Sequence, residues 1–201
     1  MQIIKQVGFE VVVQAWLEAE WQLPIYNPVR SQIPQSLIDS QDFANQQSNQ
    51  SRYTVLSALR SNMLNPLPGD TIWYSTTYDR ADLNRTFVVA SNDWGPVSGH
   101  TYRLSAVLQN LNMNDAHAQK IVSMQASLAS LSSRIILVAS DLSSILTIIE
   151  GNHRGAAFIA DAVARNVPDP LIQEVFVGVS PNMRRYEFHL EQHLPPTTTG
   201  P

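Results

Sequence analysis

Residues 146–160 constrain this chain most, because a strand pattern changes there to a helix pattern within a few residues. The apolar run before Glu150 is short, which predicts a buried strand that ends at that carboxylate. Gly151 breaks the run, and three polar residues at 152–154 open an alanine-rich segment that predicts a helix. The first N–H groups of a helix have no partner within it and carry partial positive charge. We therefore expect this junction to bind phosphate or another anion.

Further strands are predicted on both sides of the junction. The runs at 135–139 and 145–149 are continuously apolar and too short for buried helices, which is typical of central strands. Enrichment in β-branched and aromatic residues predicts strands at 71–78, 85–90 and 175–179. Together with the helices between them, these strands predict an α+β fold.

Apolar residues at helical spacing predict helices at residues 7–21, 33–43, 52–64, 115–131 and 155–165. Asn114 is the predicted N-cap of the fourth of these helices. The stretch 45–51 is rich in glutamine, asparagine and serine and predicts a solvent-facing loop. Residues 184–194 predict a final strand or a short helix.

A cluster of proline and glycine at 66–69 predicts where the chain divides. We expect a mainly helical N-terminal extension over residues 1–68 and a core domain over residues 69–194. Residues 195–201 read P-P-T-T-T-G-P, which predicts a flexible tail. At 201 residues the chain is long enough for one such core with an addition.

Charge and composition exclude several classes of function. The net charge of −4 and the lack of any basic run argue against nucleic acid as a partner. The chain has no cysteine, which excludes disulfides, thiolate metal sites and cysteine nucleophiles. The N-terminal sequence has no signal-peptide pattern, and no apolar run approaches the roughly 20 residues that span a bilayer. We therefore expect a cytoplasmic protein with no membrane partner.

The motif E-G-N-H-R at residues 150–154, placed between an apolar strand and an alanine-rich helix, resembles that of the ParB/sulfiredoxin-like fold. In this superfamily a strand delivers [D/E]-G-x-[H/R]-R, and the following helix holds nucleotide phosphates. The resemblance covers about a third of the chain. It implies a mixed-sheet core of ParB/sulfiredoxin type after the N-terminal extension.

Two branches of this superfamily fit the chain poorly. Sulfiredoxins carry a cysteine directly after the motif glycine, where this chain has Asn152, so the sulfinic-acid reductase reaction is excluded. The ParB partition proteins continue with a helix-turn-helix and a dimerisation region, whereas here only residues 183–201 follow. Sequence-specific DNA binding of that kind is therefore not expected.

The remaining branch contains free-standing serine kinases with the motif D-G-H-H-R, in which Asn152 of this chain replaces the first histidine. The resemblance implies a nucleotide-dependent phosphotransferase that acts on a small hydroxylated metabolite. Its cofactors would be ATP or ADP, with CTP as a further candidate, and Mg²⁺. The implied nucleotide-binding residues are Gly151, Asn152, His153, Arg154 and Gly155. The implied catalytic residues are Glu150, His153 and Arg154.

Each of these side chains suits one part of phosphoryl transfer, which depends on positioning and charge neutralisation. Arg154 would clamp phosphate oxygens, and His153 would donate to the transferring phosphoryl group. Glu150 would either bind Mg²⁺ as a metal ligand or accept the proton of the substrate hydroxyl, and the sequence does not rank these roles. A second carboxylate is expected, with three candidates: Asp79, Asp82 and Asp93.

Other interpretations stay open at this stage. One alternative is a nucleotide-binding or nucleotide-hydrolysing switch. Others are a DNA-binding or nuclease accessory, and an enzyme of this fold that uses no nucleotide. Glu150 and Arg154 would alternatively pair across a tight turn while His153 caps the helix, with the ligand bound elsewhere. The sequence specifies neither the phosphoryl acceptor nor the oligomeric state.

Overall fold

The computed structural model describes residues 1–128 and 134–190, and a mixed β-sheet forms their centre. Its six strands are β1 (Ile3–Val7), β2 (Ile72–Tyr78), β3 (Thr86–Val88), β4 (Ile136–Ala139), β5 (Leu146–Glu150) and β6 (Ile172–Val179). They lie in the order β1-β2-β6-β4-β5-β3. Every strand except β1 overlaps a strand predicted from the sequence. The α+β class is therefore confirmed.

The pairing of the strands places the carboxyl ends of β3 and β5 side by side at the same edge of the sheet. Strand β3 runs parallel to β5, and β4 runs parallel to β6, whereas the other neighbours are antiparallel. Strands β4 and β5 are buried along their whole length, which explains their continuously apolar sequences. Because β3 and β5 are parallel, the residues that follow each strand emerge side by side.

Helices cover both faces of the sheet. They are α1 (Phe9–Glu20), α2 (Asn27–Arg30), α3 (Gln35–Asp39), α4 (Gln46–Leu64), α5 (Trp94–Val97), α6 (Leu104–Gln109), α7 (Ala116–Gln125) and α8 (Asn152–Ala164). Helices α1, α3 and α4 pack against one face of the sheet, whereas α6, α7 and α8 pack against the other. No helix in the described ranges is both long and apolar enough to cross a lipid bilayer.

Residues 1–68 supply an edge strand of the sheet and one of the two helical layers. Strand β1 pairs antiparallel with β2. Trp16 of α1 is buried in the same hydrophobic cluster as Trp73 and Phe176 of the sheet. Strand β1 was not predicted from the sequence, because four of its five residues are exposed and show no apolar alternation. The division of the chain near residue 68 stays a prediction.

Three local predictions were wrong. Residues 46–51 belong to α4 rather than to a loop, since Asn45 caps this helix by accepting from the N–H of Ser48 at 3.0 Å. Asp115, not Asn114, caps α7, because its carboxylate accepts from two backbone N–H groups of the first turn. Helix α8 begins at Asn152, three residues before the predicted start. Polar first turns conceal such boundaries, since the apolar period begins later.

The predictions near the end of the chain are covered only in part. Residues 181–185 form a 3₁₀-helix where a strand or short helix was predicted from residue 184. Residues 191–201, which include the predicted tail, lie outside the described residues. The predicted end of the helix at 131 also lies outside them, and α7 is described as far as Gln125.

Candidate functional site

A glycine makes the turn between β5 and α8. Gly151 has φ of +84°, a left-handed backbone conformation that side chains with a Cβ rarely adopt. A Cβ at this position would also lie 2.9 Å from Cγ2 of Ile135 and 3.0 Å from Nη2 of Arg154. Both the conformation and the space therefore require glycine. The strand-to-helix junction predicted from the sequence is present in the structure.

The turn points the first N–H groups of α8 beyond the carboxyl end of β5. A Cβ at Gly155 would lie 3.1 Å from Cγ2 of Ile135, so the first turn of α8 packs closely against the sheet. Among the described residues, no side chain caps this helix. Its N-terminal N–H groups therefore retain the positive end of the helix dipole for a bound anion.

Glu150 and Arg154 form a buried ion pair across this turn. Nη2 of Arg154 donates to Oε2 of Glu150 at 2.7 Å and to the backbone oxygen of Arg134 at 2.6 Å. Both side chains of the pair are almost fully buried. Nε of Arg154 has no hydrogen-bond partner among the described residues. The guanidinium thus contacts the protein's own carboxylate in the structure, as the alternative interpretation of the motif expects.

The pKa of Glu150 in this pair lies close to physiological pH. Burial raises the pKa of Glu150 to about 7, even though the charge and hydrogen bond of Arg154 act in the opposite direction. The charge of Glu20 raises this pKa further. A carboxyl group with a pKa near 7 exists in both forms at physiological pH, which suits a proton acceptor or donor.

His153 packs in an aromatic cluster instead of capping the helix. Its Nε2 lies 2.7 Å from Nδ1 of His117 on α7. The indole of Trp94 packs against both rings, with centroids 4.2 Å from His117 and 4.8 Å from His153. Burial, together with the charge of Lys120, lowers the pKa of His153 to about 3. The His153 ring is therefore neutral at physiological pH.

Asn152 joins the ends of the two parallel strands. Its Oδ1 accepts a hydrogen bond at 3.2 Å from the N–H of Val89, which directly follows β3. This contact holds the residues after β3 against the start of α8. The role differs from that of a catalytic histidine, which the resemblance to the serine kinases places at this position.

A cleft of about 420 Å³ opens at this edge of the sheet. This volume lies within the range of small-molecule sites, and the carboxyl ends of strands are a common location for such sites. Both helical layers contribute to its walls. The titratable and aromatic lining residues include Glu20, Arg60, Trp94, Lys120, Glu150 and His153.

A second ion pair lies in the wall opposite α8. Arg60 donates to Glu20 through both Nε and Nη2 at 2.8 Å, and the Tyr26 hydroxyl donates to the same carboxylate at 2.9 Å. Arg60 departs from helical geometry, with φ −130° and ψ 22°, and marks a kink in α4. By contrast, Lys120 makes no ion pair within the part of the chain that the structure describes. Its ammonium group remains available to an anion in the cleft.

The three candidates for a second carboxylate have separate environments. Asp79 and Asp82 form a capping box at the 3₁₀-helix of residues 80–85, and Asp82 also pairs with Arg85 at 2.7 Å. Neither of them lines the cleft, whereas Asp93 does. Oδ2 of Asp93 lies 3.6 Å from Nε2 of His117, and the Asp93 carboxylate is largely exposed.

The lining of the cleft offers contacts for an anion rather than a cluster of metal ligands. The described residues contain no cluster of three or more histidine, cysteine or acidic side chains that could hold a metal ion. Glu150 is a poor Mg²⁺ ligand, because Arg154 occupies its Oε2 and burial favours its neutral form. The free Lys120 and the uncapped α8 N-terminus are suitable contacts for phosphate.

Several lining residues were missed in the sequence analysis. Glu20, Arg60 and Lys120 lie on α1, α4 and α7, and His117, also on α7, contacts His153 beside the cleft. None of these residues belongs to a local motif. Outside residues 150–154, Asp93 is the one lining residue that the sequence had suggested for the site, as a candidate second carboxylate.

Comparison of the chain with protein-family models, curated proteins and solved structures finds no match. The assignment of a function therefore depends on the geometry of the cleft and on the resemblance of its motif.

Proposed function

We propose that the protein is a nucleotide-dependent phosphotransferase and that Glu150 accepts the proton of a small hydroxylated substrate. The observation that carries the proposal is a buried carboxyl group, with a pKa of about 7, in the wall of a ligand-sized cleft. A general base with a pKa near the working pH combines a populated ionised form with adequate basicity. Strongly shifted acids in clefts are concentrated at functional sites.

Phosphate recognition is assigned to the α8 N-terminus and Lys120. The N–H groups at residues 152–154 and the Lys120 ammonium group lie on the same cleft, so both interact favourably with phosphate oxygens. Phosphoryl transfer needs this neutralisation more than it needs covalent chemistry. Mg²⁺ would enter with the nucleotide, since it is usually bound through substrate phosphates with few protein ligands.

Arg154 acts as a positioning residue in this proposal. Its contacts with Glu150 and the backbone oxygen of Arg134 fix the carboxyl group at the end of β5. The resemblance of residues 150–154 to the serine-kinase motif supports the same class of reaction. The helices of the N-terminal layer, through Glu20 and Arg60, would shape the site for the hydroxylated substrate.

Two measurements test the proposal. A thermal-shift screen with ATP, ADP, CTP and GTP, each with Mg²⁺, should raise the melting temperature for at least one nucleotide, because ligands that bind only the folded state stabilise it. Product formation over a panel of hydroxylated metabolites should then require Glu150. The variant Glu150→Gln should lose turnover but retain the nucleotide-dependent shift, whereas Asp161→Asn, a surface carboxylate on α8, should retain both.

Three outcomes would contradict the proposal. They are no thermal shift with any nucleotide, full turnover in Glu150→Gln, and phosphate release that needs no acceptor and responds to no metabolite. The last result would support a nucleotide-hydrolysing switch, because water would then be the phosphoryl acceptor.

A further inference from the structure

The imidazoles of His117 and His153 share a short contact beside the cleft. Nδ1 of His117 lies 2.7 Å from Nε2 of His153. The ring planes differ by 12° and the centroids are 4.9 Å apart, so the rings meet edge to edge. Trp94 packs against both rings and shields the contact from water. At this separation one nitrogen carries the hydrogen and the other accepts it.

Asp93 and Nδ1 of His153 lie at the two ends of this histidine pair. Oδ2 of Asp93 is 3.6 Å from Nε2 of His117, a charge contact beyond hydrogen-bond distance, and the Asp93 side chain is 65% exposed. At the other end, His153 lines the cleft, and its Nδ1 makes no hydrogen bond with any residue that the structure describes. The order Asp93, His117, His153 therefore connects two residues of the cleft wall, of which Asp93 is the exposed one.

We propose that Asp93, His117 and His153 form a proton relay in which one shared proton decides whether Nδ1 of His153 donates or accepts a hydrogen bond. Without that proton both rings are neutral, and the Asp93 carboxylate favours the hydrogen of His117 on Nε2. Nδ1 of His117 then accepts from the Nε2–H of His153. In this state Nδ1 of His153 presents a lone pair to the cleft.

Uptake of one proton reverses the central hydrogen bond. The proton binds to Nδ1 of His153, and the hydrogen on its Nε2 passes to Nδ1 of His117. The positive charge then lies on His117 beside Asp93, and His153 is neutral again, with an N–H at Nδ1. The net change is one proton taken from water, and no bond between heavy atoms forms or breaks. A second proton would place two cations in contact, so the pair binds one.

The charges around the pair decide where its proton is held. Burial and the charge of Lys120 disfavour a cation at His153, whereas Asp93 and Asp115 favour one. Because burial disfavours a cation at His153 and the Asp93 carboxylate lies 3.6 Å from His117, the relay places the charge on His117. An anion in the cleft stabilises the state in which Nδ1 of His153 donates, so anion binding and proton uptake are coupled. The role of the relay in phosphoryl transfer rests on the proposed function, but the relay itself does not.

Nitrogen-15 NMR of the histidine rings tests the relay in the full chain without nucleotide. On titration from about pH 8 to about pH 5, Nδ1 of His153 should gain its hydrogen at the same midpoint at which His117 becomes cationic. Independent titration of the two rings would overturn the proposal, as would a His153 ring that keeps the same tautomer throughout. Because no nucleotide is present, this failure is distinct from a failure of the phosphotransferase proposal.

Variants and one probe sharpen the same experiment. Asp93→Asn should move the shared midpoint to lower pH, and His117→Gln should abolish the change at His153. Asp161→Asn removes a carboxylate elsewhere on α8 and should leave the midpoint in place. Inorganic phosphate added to the unmodified protein should move the midpoint to higher pH. A midpoint that is the same in Asp93→Asn, or that phosphate does not move, would contradict the relay.

Discussion

Two glutamate–arginine pairs line the same cleft and differ in the number of hydrogen bonds that each carboxylate accepts. Glu20 accepts three hydrogen bonds, two from Arg60 and one from Tyr26. Within the described ranges, Glu150 accepts a single hydrogen bond, from Arg154. A carboxylate has about four acceptor sites, so Glu20 uses most of them and Glu150 uses few.

The difference shows how identical residue types acquire different chemistry. Hydrogen bonds stabilise the ionised form of a carboxyl group, whereas burial disfavours it. At Glu150 burial outweighs the single donor and raises the pKa to about 7. At the other pair, burial lowers the pKa of Arg60, but the hydrogen bonds and charges of Glu20 and Tyr26 together raise it by more. The first pair is therefore suited to proton transfer and the second to holding two helices together.

The largest effect is expected from removing the guanidinium beside Glu150. Arg154→Ala leaves a buried carboxylate without this donor, which typically costs about 3–5 kcal/mol in free energy of unfolding. The loss should be smaller at about pH 5 than at about pH 8, because Glu150 becomes neutral. Urea unfolding at both pH values measures this. The matched variant Arg60→Ala, at a more exposed guanidinium, should lose less at about pH 8. An equal or larger loss in Arg60→Ala would contradict the comparison.

Replacing the carboxyl group should change how stability depends on pH. The pKa of Glu150 in the folded protein is about 7, above its ordinary value of 4.5. The unfolded state therefore releases its proton first, and the stabilisation from Glu150 is lost as the pH rises from 4.5 to about 7. The stability of the unmodified protein relative to Glu150→Gln should fall by about 3 kcal/mol across this window. A constant difference between the two unfolding curves would contradict the raised pKa.

A methyl group at the turn should disturb the pair without removing either partner. Gly151→Ala forces a left-handed residue and a contact with Nη2 of Arg154, so we expect a loss of about 1–3 kcal/mol. Chemical denaturation measures the loss. The control is Gly69→Ala, since a Cβ there meets no atom within 4 Å. Equal stability of the two variants would show that the turn does not constrain the pair.

The smallest effect is expected at the second pair. Tyr26→Phe removes one of three donors to Glu20 and leaves both hydrogen bonds from Arg60, so the loss should be about 1 kcal/mol. The same unfolding measurement applies. If Tyr26→Phe loses as much free energy of unfolding as Arg154→Ala, the three hydrogen bonds to Glu20 do not contribute independently to stability.

The sequence predicted the strand-to-helix junction because its signals are local. The apolar run before Glu150, the glycine at 151 and the small residues of α8 lie within a short stretch, and each restricts the backbone. Strand β1 lacked such a signal, since its exposed residues form a strand only by pairing with β2. Tertiary pairing outweighs local preference at such edges.

The cleft itself was less predictable than the junction. Lys120 and Arg60 reach it from helices that are separated from residues 150–154 in the chain, and their side chains have no distinguishing local pattern. The ion pair between Glu150 and Arg154 was considered as an alternative, because residues four apart on a turn or helix can meet. Its burial, which sets the pKa of Glu150, depends on how both helical layers close over the sheet.

Carbon-13 NMR of the side-chain carboxyl groups measures the protonation of Glu150 most directly. In the free protein, one glutamate resonance should titrate with a midpoint near 7, and it should be absent from the spectrum of Glu150→Gln. Such a resonance would establish a proton acceptor in the cleft at physiological pH. If the Glu150 resonance titrates instead near the ordinary glutamate value of 4.5, Glu150 is a permanently ionised partner of Arg154 and not the base of the site.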